Sequence, residues 1–90
     1  MKVIKRNGEL EDFEQAKIAR VTKAAGLTDD QSESLAQLAA KRIEALNADQ
    51  VTTIQIRDIV IEEMAKVDKY ATDMFSWYQK GKDERQKKTD

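Results

Sequence analysis

Arg57 stands one turn inside a segment, Thr52-Thr53-Ile54-Gln55-Ile56-Arg57, that reads as the start of a helix. A cation there opposes the helix dipole unless an anion joins it. The hydroxyl of Thr53 sits one turn behind it as a hydrogen-bond donor. Lys17 falls at the border of a second apolar stripe, about 40° from Val21 at 100° per residue. Lys5 and Arg6 lie side by side ahead of Asn7-Gly8, and Glu11 follows closely. Separated cations with one carboxylate among them are suited to neutralising and orienting a polyanion. They are poorly suited to catalysis, because the chain holds 0 His and no Cys. The commonest general base, the commonest metal ligand and every thiol mechanism are missing. The expectation is a binding domain, not an enzyme. Carboxylate-bound magnesium stays open where phosphates supply the remaining ligands.

Each of these residues also has a plain structural reading. Lys5 and Arg6 could be solvated charges that blunt an edge strand, and Lys17 could lay its stem along the core with its ammonium in water. Arg57 could simply be exposed. Glu11 is harder to dismiss. With Asn7-Gly8 as a two-residue turn it stands opposite Ile4, a carboxylate beside an apolar side chain, and such local conflicts concentrate at functional sites. The glycines are Gly8, Gly26 and Gly81. They form neither GxxxxGK[ST] nor GxGxxG, so a phosphate site here must use cationic side chains and helix N-termini.

The elements that position these groups follow from spacing. Lys2 to Phe13 reads as a β-hairpin, because Asn-Gly is the preferred dipeptide where both turn residues take positive φ. Helix one is expected over Glu14 to Ala25, burying Ile18, Val21 and Ala25 and stopping at Gly26. Thr28 with Gln31 forms a capping box for helix two, which runs to about Asn47 and buries Leu35, Leu38, Ala39, Ile43 and Leu46. Gln50 to Thr53 suits a short third strand, with Thr52 or Thr53 capping helix three. Ile56, Ile59, Val60, Met64 and Val67 form that helix's stripe. Helix four carries Ala71, Met74, Phe75 and Tyr78. Arg42 and Glu63 fall inside their helices' apolar stripes and are expected to pair across helices two and three. The fold class is α+β, mainly α: a four-helix cluster capped by a small sheet, the N-terminal hairpin plus the short third strand. Residues 1–80 form one domain, and residues 81–90 read as a polar tail or truncated linker.

Bulk properties narrow the partners. The net charge of -1 gives no footprint for nucleic acid or an anionic membrane. No signal-peptide h-region opens the chain, and no run approaches the ~20 apolar residues of a membrane span. The expected location is therefore cytoplasmic. Trp77, if exposed, marks a self-association surface.

The opening Val3-Ile4-Lys5-Arg6-Asn7-Gly8, then Phe13 and Lys17-Ile18, resembles the V-x-K-R-D-G and F-D-x-x-K-I signature of the ATP-cone family. Val51-Thr52-Thr53-Ile54-Gln55-Ile56-Arg57-Asp58-Ile59-Val60 resembles that family's V-T-T-x-x-I-R-D-L-V segment. With Ala25-Gly26-Leu27 and the closing aromatic helix, the likeness spans Met1 to Lys80. Such domains occur at the N-terminus of ribonucleotide reductases and in their transcriptional repressor. The resemblance implies four helices under a small mixed sheet, binding of ATP or dATP with or without Mg2+, and control of a reductase catalytic domain or subunit through oligomeric state. It implies Val3, Lys5, Arg6, Glu11, Lys17, Thr53, Arg57 and Lys80 as nucleotide contacts. Lys5, Arg6 and Lys17 would meet phosphates or base, Glu11 the base or ribose, and Thr53 and Arg57 the phosphate end. Lys80 matches a late lysine of some members. Asn7 and Glu14 replace the family's usual aspartates, the second at the N-cap of helix one. The repressor's cysteine-bearing zinc ribbon has no counterpart here. Two alternatives stand beside this reading: a nucleotide-independent helical module that binds protein, and the regulatory region of a repressor or kinase.

Overall fold

A computed structural model describes the backbone of residues 1–89 and the side chains of residues 1–80. The element order is β1 (Lys2–Ile4), β2 (Leu10–Asp12), α1 (Gln15–Ala24), α2 (Asp29–Ala45), β3 (Gln50–Thr52), α3 (Thr53–Ala65) and α4 (Lys69–Thr89). The fold is α+β and mainly α, as the sequence implies. The three strands form one sheet in the order β2-β1-β3, antiparallel between β1 and β2 and parallel between β1 and β3. The polar segment 81–90 begins inside the backbone span of α4; its side chains lie outside the described residues.

The hairpin departs from the two-residue turn expected of Asn7-Gly8. Lys5 N–H donates to Glu9 C=O at 2.8 Å and Gly8 N–H to Lys5 C=O at 2.9 Å. The loop is therefore Arg6-Asn7-Gly8. Gly8 takes positive φ (87°) and Asn7 does not; the Asn7 side chain instead accepts the Glu9 N–H at 3.1 Å. That is the three-residue hairpin loop, closed by a left-handed glycine. Its consequence is a shift of register, with Ile4 opposite Leu10 and Val3 opposite Glu11. A one-residue slip moves every side chain of a strand to the other face. Glu11 consequently shares the inner face of the sheet with Val3 and Val51, while Leu10, 54% exposed, lies on the outer face.

Two helices start as their sequences specify. Thr28 and Gln31 cap α2 reciprocally, at 3.0 and 3.1 Å. Thr52 and Gln55 do the same for α3, at 2.8 and 3.0 Å. Thr52 is thus the cap and Thr53 is the first helical residue. The core joins Val3, Ile18, Leu35, Ile43, Val51, Val60, Met64 and Phe75. Several expected core positions turn outward. Val21, Leu38, Leu46, Val67, Met74 and Tyr78 are all exposed. Their places are taken by Ala19, Thr22, Ala36, Ala40 and Thr72, small residues that let the helices approach closely. Thr22 needs no partner from outside its helix, since its hydroxyl donates to the Ile18 and Ala19 carbonyls.

The expected Arg42–Glu63 pair forms at 2.8 Å, joined by Glu62 on the guanidinium and Lys66 on the Glu63 carboxylate at 3.2 Å. Burial pushes the Glu63 carboxyl up, but hydrogen bonds from Lys66 and Arg42 outweigh it and hold the group below its ordinary value of 4.5. A carboxyl depressed in the folded state stabilises fully above its unfolded pKa and loses that contribution as pH falls through the folded one. Wild-type Tm should accordingly decline below about pH 4.5, and the Glu63→Gln variant, less stable at pH 7, should show a flatter decline. Arg42→Met should lower Tm at neutral pH by leaving a nearly buried carboxylate short of a partner, and adding Glu63→Leu should recover most of the loss. Thermal unfolding followed by circular dichroism checks both; a rise in Tm for Arg42→Met alone would contradict the role given to this pair.

Candidate functional site

One cleft collects side chains from the hairpin, α1, the start of α3 and the middle of α4. Val3, Arg6, Glu11, Lys17, Thr53 and Arg57 all line it. The register brings Glu11 there, because only the inner face of the sheet looks toward α1. Lys17 donates to Glu11 at 3.3 Å across that gap. Arg57 projects from the second turn of α3 and is held by Asp58 beside it, at 3.1 Å from Nη2 and 3.3 Å from Nε. Arg6 reaches from the hairpin loop to α4, where its Nη2 donates to Gln79 Oε1 at 3.0 Å.

Lys5 and Lys80, expected among the contacts, do not line the cleft. For Lys80 the reason is helical geometry. Phe75 and Gln79 are one turn apart and face the cleft, and the next residue is rotated by about 100°. For Lys5 it is the loop. A three-residue connection makes Lys5 the last paired residue of the hairpin, and Arg6, inside the loop, is the one that crosses to α4.

The two ends of the cleft differ in chemistry. Phe13, Ile18, Val21, Ile56, Val60 and Phe75 make an apolar wall. The N-terminus of α3 makes the polar end. Its first turn holds no acidic residue. Thr52 performs the capping with the Gln55 N–H, so the Thr53 hydroxyl and the N–H groups of Thr53 and Ile54 are not spent on it. An anion placed there meets the helix dipole, Arg57 and Thr53 together. Glu11, Asp12 and Glu14 also border the cleft, so cations and carboxylates alternate around it. Asp12 is occupied on the far side: its hydrogen bond from Lys2 and that ammonium's charge hold it below the ordinary carboxylate range.

The cleft is open to solvent and offers about 140 Å³, small beside the ~300–1,000 Å³ of typical ligand pockets. That suits a flat heterocycle more than a whole nucleotide, whose phosphates would extend along the charged rim. A second groove, between α2 and the end of α3, is roomier at about 340 Å³. It is lined by Leu35, Leu38 and Val67 with Asp30 and Glu63, and Lys66 is its single cation. Chemistry favours the smaller cleft, where three cations from three elements meet. Among the described residues no group of three or more acidic or metal-ligating side chains is placed to hold a metal ion, and no helix is long and apolar enough to cross a membrane.

Sequence reasoning missed Gln79, Glu14 and the apolar wall. Val21, a core position by its spacing, is 38% exposed and faces the cleft. Phe75 and Gln79 share an i, i+4 spacing that could have marked them as one face.

The family model described as the ATP cone domain matches residues 1–78 of the chain. A search of curated proteins finds no match.

Glu14, at the mouth of the cleft, is the N-cap of α1 and makes no side-chain capping bond. Its carboxylate is one methylene too long to reach its own helix N-terminus well. Glu14→Asp or Glu14→Ser should therefore stabilise the fold by about 0.5–1 kcal/mol, seen as a rise of a few degrees in Tm. An unchanged or lowered Tm in both variants would mean that Glu14 serves the structure by another route.

Proposed function

The chain belongs to the ATP-cone domain family, and from that premise we propose that it is an allosteric module that binds ATP or dATP in this cleft. The observation that carries the proposal is the convergence of Arg6, Lys17 and Arg57, from three separate elements, on one cleft with an apolar wall. A nucleotide has the same division. Its base is flat and largely apolar at its faces, which suits the wall of Phe13, Val21, Ile56 and Phe75. Its phosphates suit Arg57, Thr53 and the α3 N-terminus, with Arg6 and Lys17 closing over them. Glu11, acceptor-only when ionised, takes an amine of the base or a ribose hydroxyl. Val3 closes the floor beside it. Lys5 and Lys80, sequence neighbours of Arg6 and Gln79, add positive field at the rim. Magnesium arrives on the phosphates and needs only one or two carboxylates from the protein.

The regulated partner in this proposal is a ribonucleotide reductase catalytic domain or subunit in the cytoplasm, with oligomeric state as the output. The output face is the outer side of α4, where Tyr70, Met74, Trp77 and Tyr78 are all exposed at helical spacing. The same face favours a second reading, a module that binds protein or a second copy of itself with no need of nucleotide.

Calorimetric titration with ATP and dATP, with and without magnesium, separates the two. Micromolar binding is expected, with Kd raised about tenfold by Lys17→Ala or Arg57→Ala, as for loss of one hydrogen bond to a charged group. Leu38→Ala in the second groove should leave Kd unchanged. No heat with either nucleotide, together with concentration-dependent association, would overturn the sensing role and leave the interaction module.

A further inference from the structure

Arg6 is an awkward residue to entrust with a phosphate. It sits in a three-residue loop on the end of a hairpin whose strands are only three residues long. A long side chain in such a place samples many rotamers, and an anion that recruits it must first order it. The structure supplies a restraint from the opposite wall. Gln79 lies one turn beyond Phe75, which is buried and fixed in the core, on the inner side of α4. Its Oε1 accepts from Arg6 Nη2 at 3.0 Å, joining residues 73 positions apart across the cleft.

We infer that Gln79 is a positioning residue for the phosphate end of the ligand, acting through Arg6; the inference rests on the nucleotide reading of the cleft. The chemistry of the contact fits that role. A guanidinium carries five N–H donors; the amide oxygen of Gln79 takes one at Nη2, on a side chain that itself lines the cleft. An amide is neutral, so it orients the guanidinium without cancelling the charge that attracts phosphate. A glutamate at the same place would orient Arg6 equally well but oppose the incoming anion. Glutamine is the side chain that does the first without the second.

The test is a double-mutant cycle on the full chain, read by calorimetric titration with ATP. Gln79→Ala should weaken ATP about five- to tenfold, in line with loss of a hydrogen bond to a charged group. Gln79→Met, which keeps the length and packing of the side chain but removes the acceptor, should weaken it equally. In an Arg6→Ala background neither substitution should change Kd further. Thermal unfolding without nucleotide confirms that each variant is folded. Wild-type affinity in Gln79→Met, or an equal loss with and without Arg6, would overturn the positioning role while leaving the nucleotide site intact. A wild-type chain that binds no ATP would overturn both.

Discussion

The parallel pairing of β1 with β3 is the contact on which the site depends. Val3 lies against Val51, and Lys2 N–H bonds the Asp49 carbonyl at 3.1 Å just before the strands align. Parallel strands cannot be joined by a tight turn, so β2, α1 and α2 together span the connection between them. The pairing sets the loop-borne Arg6 and the carboxylate of Glu11 beside the start of α3, which follows β3 without a break. Strands of three residues have little stability of their own. They persist because Val3 and Val51 are almost fully buried against the helices. The valines that hold the sheet on the helices are therefore also what assembles the cation set.

α4 has two faces with different work. Ala71, Thr72 and Phe75 bury against the core, and Gln79 continues that side into the cleft. Tyr70, Met74 and Trp77 stand on the other side, open to solvent. A helix that touches a ligand on one side and offers aromatic surface on the other can convert occupancy into association through a small rigid-body shift. The limit is thermodynamic. A ligand moves such an equilibrium only by its difference in affinity for the two arrangements, so a nucleotide proposed to act through α4 must bind the two placements of that helix unequally.

The parts of this structure that local chemistry determines were legible in the sequence. Thr28 with Gln31 is a capping box in the letters and in space, because a cap is settled within four residues; for α3 the letters leave Thr52 and Thr53 open, and the reciprocal bonds with Gln55 fix the cap at Thr52. Arg42 and Glu63 announced each other by interrupting apolar stripes. The failures share a cause. Asn7-Gly8 suits two loop lengths, and β2 offers Leu10 and Phe13 at opposite parity, so nothing local decides between registers. Val3 is buried against Val51 in either register; the three-residue loop, with the Asn7 side chain on the Glu9 N–H, is what brings Glu11 rather than Leu10 to the inner face. The helix faces depend on tertiary packing in the same way. Large side chains such as Val21, Leu38 and Tyr78 look like core in one dimension, whereas the close helix contacts are made by Ala19, Ala36 and Ala40. Gln79 carries only its spacing from Phe75 as a signal, since its contact with Arg6 exists only once the hairpin loop reaches α4.

In the proposed function one cleft, lined by the hairpin, α1, α3 and α4, takes the nucleotide. Two-dimensional amide NMR of the isotopically labelled chain tests it most directly when ATP is added. Shifts are expected to concentrate at Val3, Glu11, Lys17, Thr53, Arg57 and Gln79, with the region around Leu38, Glu63 and Val67 quiet. Shifts centred on that second groove, or a spectrum that ATP leaves unmoved, would contradict it.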